Sequence, residues 1–379
     1  MKILALCWYI DPDYPIGITP VWWQLLKSLN ELGVEIVLGV HDGQTISSLW
    51  WRNAGKPFSF GFVRKSVEFF SYKQRMVFVQ NPFKHWFKNS YKRYIEKTLS
   101  NEKDVDVILV CGIPFHYFSE IPEWVEKKFG IPTIFFEHDM PSILPQYGGW
   151  GGATNYVNPD FSEYAAFITT SKGVVPLLTE MGASNVHVIY FAVDPYVYRP
   201  TKSEKTIDVL FQGFGSKFRE DWMTKMITEP SMCSPLMNFA VAGQQFDTNL
   251  GSAKKLGALS FTSFRDICCQ SKINLNITRK HFAEVYCSST SRPFELASLE
   301  CCMISNPCNG INEWFEVGKE ILIVNSAQEA VELYTWLLSS EETRIKMGQL
   351  ARKRVLKSHS YDHRAKQLLE IMRNVLKKQ

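Results

Sequence analysis

The chain has 379 residues, and at roughly 150 residues per domain that length points to two or three domains. Apolar residues make up 45% and charged residues 21%, a globular composition that excludes global disorder and a fibrous chain. Lys+Arg is 42 against 38 for Asp+Glu, leaving a net charge of +4, too mild for a dedicated nucleic-acid binder.

The chain opens with Lys2–Ile10, a short apolar run that reads as a buried strand. It is too short for the core of a signal peptide and lacks a small-residue cleavage site. A helix over Pro20–Leu32 ends at Gly33, and Val34–Val40 is a second strand. Further strands are expected at Asp106–Cys111, Pro132–Phe136, Phe167–Thr170 and Val186–Tyr190. Helices fall between them at Ser119–Phe129 and Gly173–Met181. Continuous apolar strands separated by helices mean a parallel sheet covered on both faces.

Asp194–Thr206 breaks the rhythm with Pro195, Pro200 and several charges, and reads as an interdomain linker. The pattern then restarts. Strands are expected at Asp208–Gln212, Phe239–Ala242, Ile273–Ile277, Met303–Asn306 and Ile321–Val324. Helices are expected at Arg219–Ile227, Pro293–Leu299, Ala327–Leu338, Ser340–Lys357 and Tyr361–Lys377. The result is two α/β halves and a helical tail: residues 1–199, 206–358 and 359–379. No window holds 18 uninterrupted apolar residues, so no transmembrane helix is expected. Nine cysteines, an odd number with no C-x-x-C, read as reduced and mostly buried thiols of a cytoplasmic protein.

Ligands of parallel α/β domains bind outside the carboxyl ends of the strands, so the loops after strands are the candidates. The most informative is YCSSTSRPFE, Tyr286–Glu295. Ser288, Ser289, Thr290, Ser291 and Arg292 precede a helix with Pro293 in its first turn. A helix start with hydroxyls and a guanidinium suits a diphosphate. Glu295, three residues beyond Arg292 on the same face, could accept two hydroxyls of a ribose. The bland alternative is a capped helix with a surface salt bridge, which the local pattern alone favours. In GFGSKFR, Gly213–Arg219, two glycines permit close backbone approach while Lys217 and Arg219 add charge. It is not a dinucleotide fingerprint, because Phe218 stands at the third glycine position.

In the first half, Gly17 lies in the loop after the first strand. Glu137, His138 and Asp139 follow Pro132–Phe136 and could supply a general base with carboxylates orienting the imidazole. The alternative is a hydrogen-bonded loop histidine. His116 is a weaker version of the same idea, and the Asp11-Pro12-Asp13 pair is too common a pattern to assign a metal. Arg64–Lys97 carries nine Lys/Arg interleaved with nine aromatics. Lys84, Lys88 and Lys92 recur every four residues and line one helix face. That face suits an anionic surface, a membrane or an acidic or lipid-linked acceptor; the alternative is an amphipathic helix with solvated lysines.

The stretch FITTSKGVVPLLTEMGASNVHVIYFAVDPYVYRP, residues 167–200, is similar to the interdomain region of glycosyl transferases group 1, through Ser171, Gly182, Val193-Asp194 and Pro200. The second half resembles the spore-maturation-type branch of that group. It carries DVLFQGFGSKFR, INLNITR, SRPFE, NGINEWFEVGKEILIV and LARKRVLKSHSYDHR in that order. The resemblance implies a GT-B fold: two Rossmann-like parallel-sheet domains facing a cleft, with the C-terminal helix returning toward the first domain. It implies a nucleoside-diphosphate sugar as substrate, no cofactor and no metal. Donor contacts fall on Gly213, Lys217, Arg219, Arg279, Ser288, Ser289, Arg292, Glu295 and Gly310. From the ionisable triplet itself, His138 or Asp139 is expected as the catalytic group, with Gly17, His116 and Glu137 on the acceptor side. The acceptor would be a glycan, a lipid-linked molecule or a protein, with peripheral membrane contact through 64–97. Two departures stand out: Cys287 where many members carry a glutamate, and Glu300 where a glycine is usual. A nucleotide-sugar epimerase of the same fold and an inactive sugar- or nucleotide-binding module are the rival readings.

Overall fold

The computed structural model describes residues 1–10, 20–57, 76–113, 115–141 and 160–378, with backbone alone described for 76–87, 116 and 261. The chain divides into two compact units, one holding the first half up to Ile189 with Arg364–Gln379, the other built on Tyr190–His363. The end of the last helix, Tyr361–Leu376, therefore joins the first unit.

The first unit is a parallel sheet of seven strands: β1 (Lys2–Cys7), β2 (Glu35–Val40), β3 (Arg52–Gly55), β4 (Val107–Cys111), β5 (Thr133–Glu137), β6 (Ala166–Thr169) and β7 (Val186–Val188). Their order is β3-β2-β1-β4-β5-β6-β7, with the reversal between β1 and β4 that marks a doubly wound sheet. Leu4, Ala5, Ile108, Leu109 and Ile134 are fully buried, as strands covered on both faces require. β3 is the element that its composition hides. RNAG carries no apolar signal, and it serves as an edge strand registered on Val37–Gly39.

The second unit repeats the plan with β8 (Ile207–Phe214), β9 (Phe239–Gln244), β10 (Lys254–Gly257), β11 (Ser271–Asn276), β12 (Met303–Ser305) and β13 (Leu322–Ile323), in the order β10-β9-β8-β11-β12-β13. Side chains alternate across this sheet. Leu210 packs with Ala240, Phe294 and Met303 on one face, while Val209 and Phe211 pack with Val241, Ile273 and Tyr334 on the other. At 25 cal/mol per Å² such burial is the main favourable term in each unit. Seven of the nine cysteines are buried, Cys308 is partly so and Cys233 is exposed. Burial pushes the Cys302 and Cys308 thiols up to about 12, so both are inert at neutral pH.

Beyond Lys88, the Met76–Asn101 helix departs from the expected solvated lysine face. Lys88 is buried and its ammonium pairs with Glu120, while the Lys92 ammonium lies 5.2 Å from the Trp124 ring centroid. Tyr91 and Ile95 fill the core side of the same helix. The Lys84 side chain and residues 64–75 lie outside the described residues. No described helix is long and apolar enough to cross a membrane.

Candidate functional site

In the second unit, three loops at the carboxyl ends of β8, β11 and β12 are tied to one another by hydrogen bonds. β8 continues through Gly213, which pairs with Gly243 of β9. A Cβ on Gly243, at φ +132°, would collide with the Gly213 carbonyl, and one on Gly215 would collide with the Gln245 carbonyl. These glycines thus let β8 and β9 approach closely. Arg219 donates from Nε to the Ile277 carbonyl at 2.7 Å and from Nη1 to the Phe214 carbonyl at 2.9 Å. The Lys280 amide meets the Phe218 carbonyl at 2.8 Å. The Lys217 ammonium stands 5.1 Å from the Phe218 ring centroid, and the Arg279 guanidinium lies 4.5 Å from that of Phe282.

The β11 and β12 loops are locked by a buried polar network. Asn276 Nδ2 donates to Ser305 Oγ at 2.9 Å, and the Thr278 amide donates to Asn306 Oδ1 at 2.7 Å. Beyond β12, the Cys287 amide donates to the Asn309 carbonyl at 2.8 Å. Gly310, at φ +86°, lies so close that a Cβ there would meet the Cys287 sulfur and stand 2.9 Å from its amide nitrogen. Cys287 itself holds φ +47°, a strained conformation for a residue with a Cβ. Tyr286 donates to Glu313 Oε1 at 2.6 Å, strapping the two loops together on the outside.

The helix of the SRPFE segment spans Ser291–Ser298, and its Thr290 N-cap makes no side-chain capping bond. Ser288 and Ser289 are buried, and Ser289 Oγ accepts the Phe191 amide at 3.0 Å. Arg292 Nη1 donates to Glu295 Oε2 at 2.6 Å. The pair is lopsided: the Glu295 side chain is 0% exposed and that of Arg292 21%. The guanidinium also lies 4.3 Å from the Phe264 ring centroid. A ring beneath it and a carboxylate beside it hold the cation with an edge toward solvent, a preorganised donor for an oxyanion. The carboxylate that spacing suggests for a ribose is engaged by this arginine. The topology therefore brings Gly213, Lys217, Arg219, Arg279, Ser288, Ser289, Arg292, Glu295 and Gly310 to the carboxyl-end side of one sheet. Lys217, Arg219, Arg279 and Arg292 bring positive charge there.

In the first unit, Glu137 closes β5 and is buried. Its Oε1 accepts the amides of His138 at 2.9 Å and Asp139 at 3.0 Å. The imidazole is partly exposed, with Nδ1 3.7 Å from the same oxygen. Trp22 packs edge-on to it at 4.8 Å between centroids. Gly112 leaves the imidazole its room, since a Cβ there would lie 2.8 Å from it. Glu137 thus shapes the turn, and His138 presents its ring. His116 sits in the Phe115–Phe118 helix after β4 with its side chain outside the described residues, and Gly17 and Asp11-Pro12-Asp13 lie outside them altogether. Among the described residues no group of three or more His, Cys, Asp and Glu is placed to hold a metal.

Sequence patterning misses one cluster in this unit. Trp8 follows β1, His41 follows β2, and Tyr117 lies in the helix after β4. Trp8 and His41 stack at 4.7 Å, and His41 and Tyr117 at 5.4 Å. The available signal was an aromatic ring directly after each of the first two strands.

Residues 219–370 match the family model described as "Glycosyl transferase-like". No curated protein matches the chain in sequence. Solved structures match its fold over essentially the whole length. Sucrose-phosphate synthase from Thermosynechococcus elongatus aligns at TM-score 0.70 and 10% identity, covering 100% of both chains. A glycosyltransferase from Rickettsia africae aligns at 0.62 and 12%, covering 100% of this chain and 99% of its own. Anabaena HepE, in complex with UDP and glucose, aligns at 0.64 and 12%, covering 98% of each. At these identities the likeness shows the fold: two Rossmann-like parallel-sheet domains of the GT-B class.

Proposed function

We propose that the chain is a glycosyltransferase that moves a sugar from a nucleoside diphosphate to an acceptor. One observation carries the reading: the segment that matches the glycosyl transferase-like model, 219–370, contains Arg292 held on Glu295 and Phe264 at the start of the Ser291–Ser298 helix. The order of motifs favours the spore-maturation-type branch. HepE was captured with UDP and glucose, and a donor of that class suits the charge of the site proposed here.

In this reading Arg292 binds the diphosphate, and Glu295 positions Arg292. Lys217 and the Ser291–Ser298 helix start add positive potential, while Gly310 keeps the β12 loop close to Cys287. Charge developing on the departing diphosphate is met by these fixed cations, so the transfer proceeds without a metal and without a cofactor. His138, aimed by the turn that Glu137 organises, accepts the acceptor's hydroxyl proton, with Asp139 beside it. Gly17, His116 and Glu137 belong to the acceptor side. The acceptor is a glycan, a lipid-linked molecule or a protein.

One observation favours a second reading, a binding module without turnover. The position where many group members carry a glutamate is the buried and strained Cys287. A thermal-shift and calorimetric screen of nucleoside diphosphates and their sugars tests the donor reading. Ligand at 100 times its Kd adds about 2.7 kcal/mol of stability. We expect at least one nucleoside diphosphate to bind and Arg292→Gln to weaken it about tenfold or more. No binding across the panel would remove the donor reading.

A further inference from the structure

The first unit carries a second basic site, on the flank of its sheet. A groove of about 640 Å³ runs between the edge strand β3 and the Met76–Asn101 helix. That volume is in the range of sites for small organic ligands. Ser90, Arg93, Lys97 and Asn101 line it from the helix, and Asn53 and Lys56 line it from the strand side. Positions 90, 93, 97 and 101 follow the i, i+3, i+7, i+11 spacing of one helix face. The stripe is about 16 Å long at 1.5 Å per residue. Arg93 and Lys97 are four apart, so their like charges are neighbours, an arrangement that by itself destabilises a helix.

The carboxylates that could offset this charge are used elsewhere. Glu102, the acidic residue of the lining, accepts Lys2 Nζ at 2.8 Å and Arg52 Nη2 at 2.8 Å. Glu96, on the same helix, pairs with Lys128. Arg93 and Lys97 are exposed, and neither makes an ion pair among the described residues. The Lys56 ammonium rests on the Gly43 carbonyl, which leaves its charge uncompensated. The floor is firm, because Tyr94 and Thr98 of the lining are buried.

We infer that this groove binds an extended oxyanion-bearing glycan, a sugar chain with carboxylate or phosphate groups along it. Three cations face a polar groove whose own carboxylate is spent, so the missing counter-charge comes from the ligand. The hydroxyl and amide groups of Ser90, Asn53 and Asn101 offer hydrogen bonds that suit sugar hydroxyls. The length of the stripe fits a chain better than a single ion. The inference rests on the transferase reading only in making this glycan the acceptor; the binding stands apart from it.

The test uses the full-length protein, an oligogalacturonate hexamer as the anionic probe and maltohexaose as its neutral counterpart. Calorimetry is run on wild type and on the double variant Arg93→Gln, Lys97→Gln. Wild type should bind the anionic hexamer and not the neutral one, more weakly at 200 mM than at 50 mM salt as screening sets in. The double variant should lose about tenfold or more in affinity. Its melting temperature should stay level or rise, because a like-charge pair is removed; if it fails to fold, Lys97→Gln alone is used with the same expectation. Equal affinity of variant and wild type, or equal affinity for maltohexaose, would overturn the inference. So would binding only to phosphatidylglycerol vesicles, which would assign the charge to a lipid headgroup. Nucleoside diphosphate binding, measured on the same samples, should be unchanged, so a failure here is separable from a failure of the donor reading.

Discussion

Removing the Arg292 guanidinium leaves the Glu295 carboxylate at 0% exposure without the partner that sits 2.6 Å from it. Breaking a fully buried ion pair from one side costs about 3–5 kcal/mol, because the remaining charge keeps its desolvation penalty. Arg292 is 21% exposed, so water already screens the pair and the low end, about 3 kcal/mol, applies. Lost stacking on Phe264 adds about 0.5–1 kcal/mol. Arg292→Ala should therefore lower the urea midpoint by about 2 M for an m-value of about 2 kcal/mol/M. Glu295→Gln should cost less, since the arginine it abandons can hydrate. The double variant Arg292→Ala, Glu295→Gln should recover more than half of the loss, because no buried charge is left behind. Equilibrium urea unfolding followed by fluorescence measures all four corners of the cycle. Arg292→Ala within about 1 kcal/mol of wild type, or a double variant no better than the single one, would refute the claim that Arg292 and Glu295 act as a unit.

Three further perturbations bear on other parts of the structure. Burial pushes the Glu163 carboxyl from 4.5 up to about 7, against the opposing hydrogen bond from the Glu120 amide and with help from Asp160, Glu120 and Glu123. A raised acid pKa contributes stability that is full below pH 4.5 and lost as pH rises through about 7, so Glu163→Gln should flatten the stability profile between those limits and raise the melting temperature at pH 8. Gly310→Ala places a Cβ against Cys287 at φ +86° and should destabilise by about 1–3 kcal/mol, with a matching loss of nucleoside diphosphate affinity by calorimetry. His138→Ala should cut turnover about 100-fold or more while donor affinity stays within twofold; turnover within a few-fold of wild type would make the Glu137–Asp139 turn purely structural.

Burial decided which parts of this fold could be read from its residues. Runs such as Ile3–Cys7 and Val107–Cys111 are covered on both faces, so every residue had to be apolar and the strands stand out. The edge strands RNAG and KKLG carry no such demand and leave no apolar trace. The Phe261–Cys269 helix buries Phe264 and Cys268 and has a Ser260 cap whose hydroxyl accepts the Ser263 amide, but at nine residues it is too short for a strong helical period. In the site, the helix start and its arginine are visible as SRPFE, because a hydroxyl-rich run followed by a proline in the first turn marks a helix N-terminus. The depth of Glu295 is not visible: an i, i+3 Arg–Glu pair reads the same on a surface as it does under Phe264. The glycines of GFGSKFR were legible as a need for close approach but not for what approaches, which is the β9 backbone. Lys88 was legible as one of a lysine row, while its partner Glu120 stands 32 residues away and no local pattern links them.

Sugar transfer from a nucleoside diphosphate is followed through both of its products in one reaction. The protein is incubated in EDTA with UDP-, GDP- and ADP-sugars and a panel of oligosaccharide, lipid-linked and peptide acceptors. Nucleoside diphosphate release and acceptor mass are both recorded. Release should depend on an acceptor, with one acceptor gaining the mass of one glycosyl unit. Metal-independent transfer would be contradicted by a donor whose sugar is converted without any acceptor, by activity that vanishes in EDTA and returns with Mn²⁺, or by donor binding with no glycosylated product from any pair.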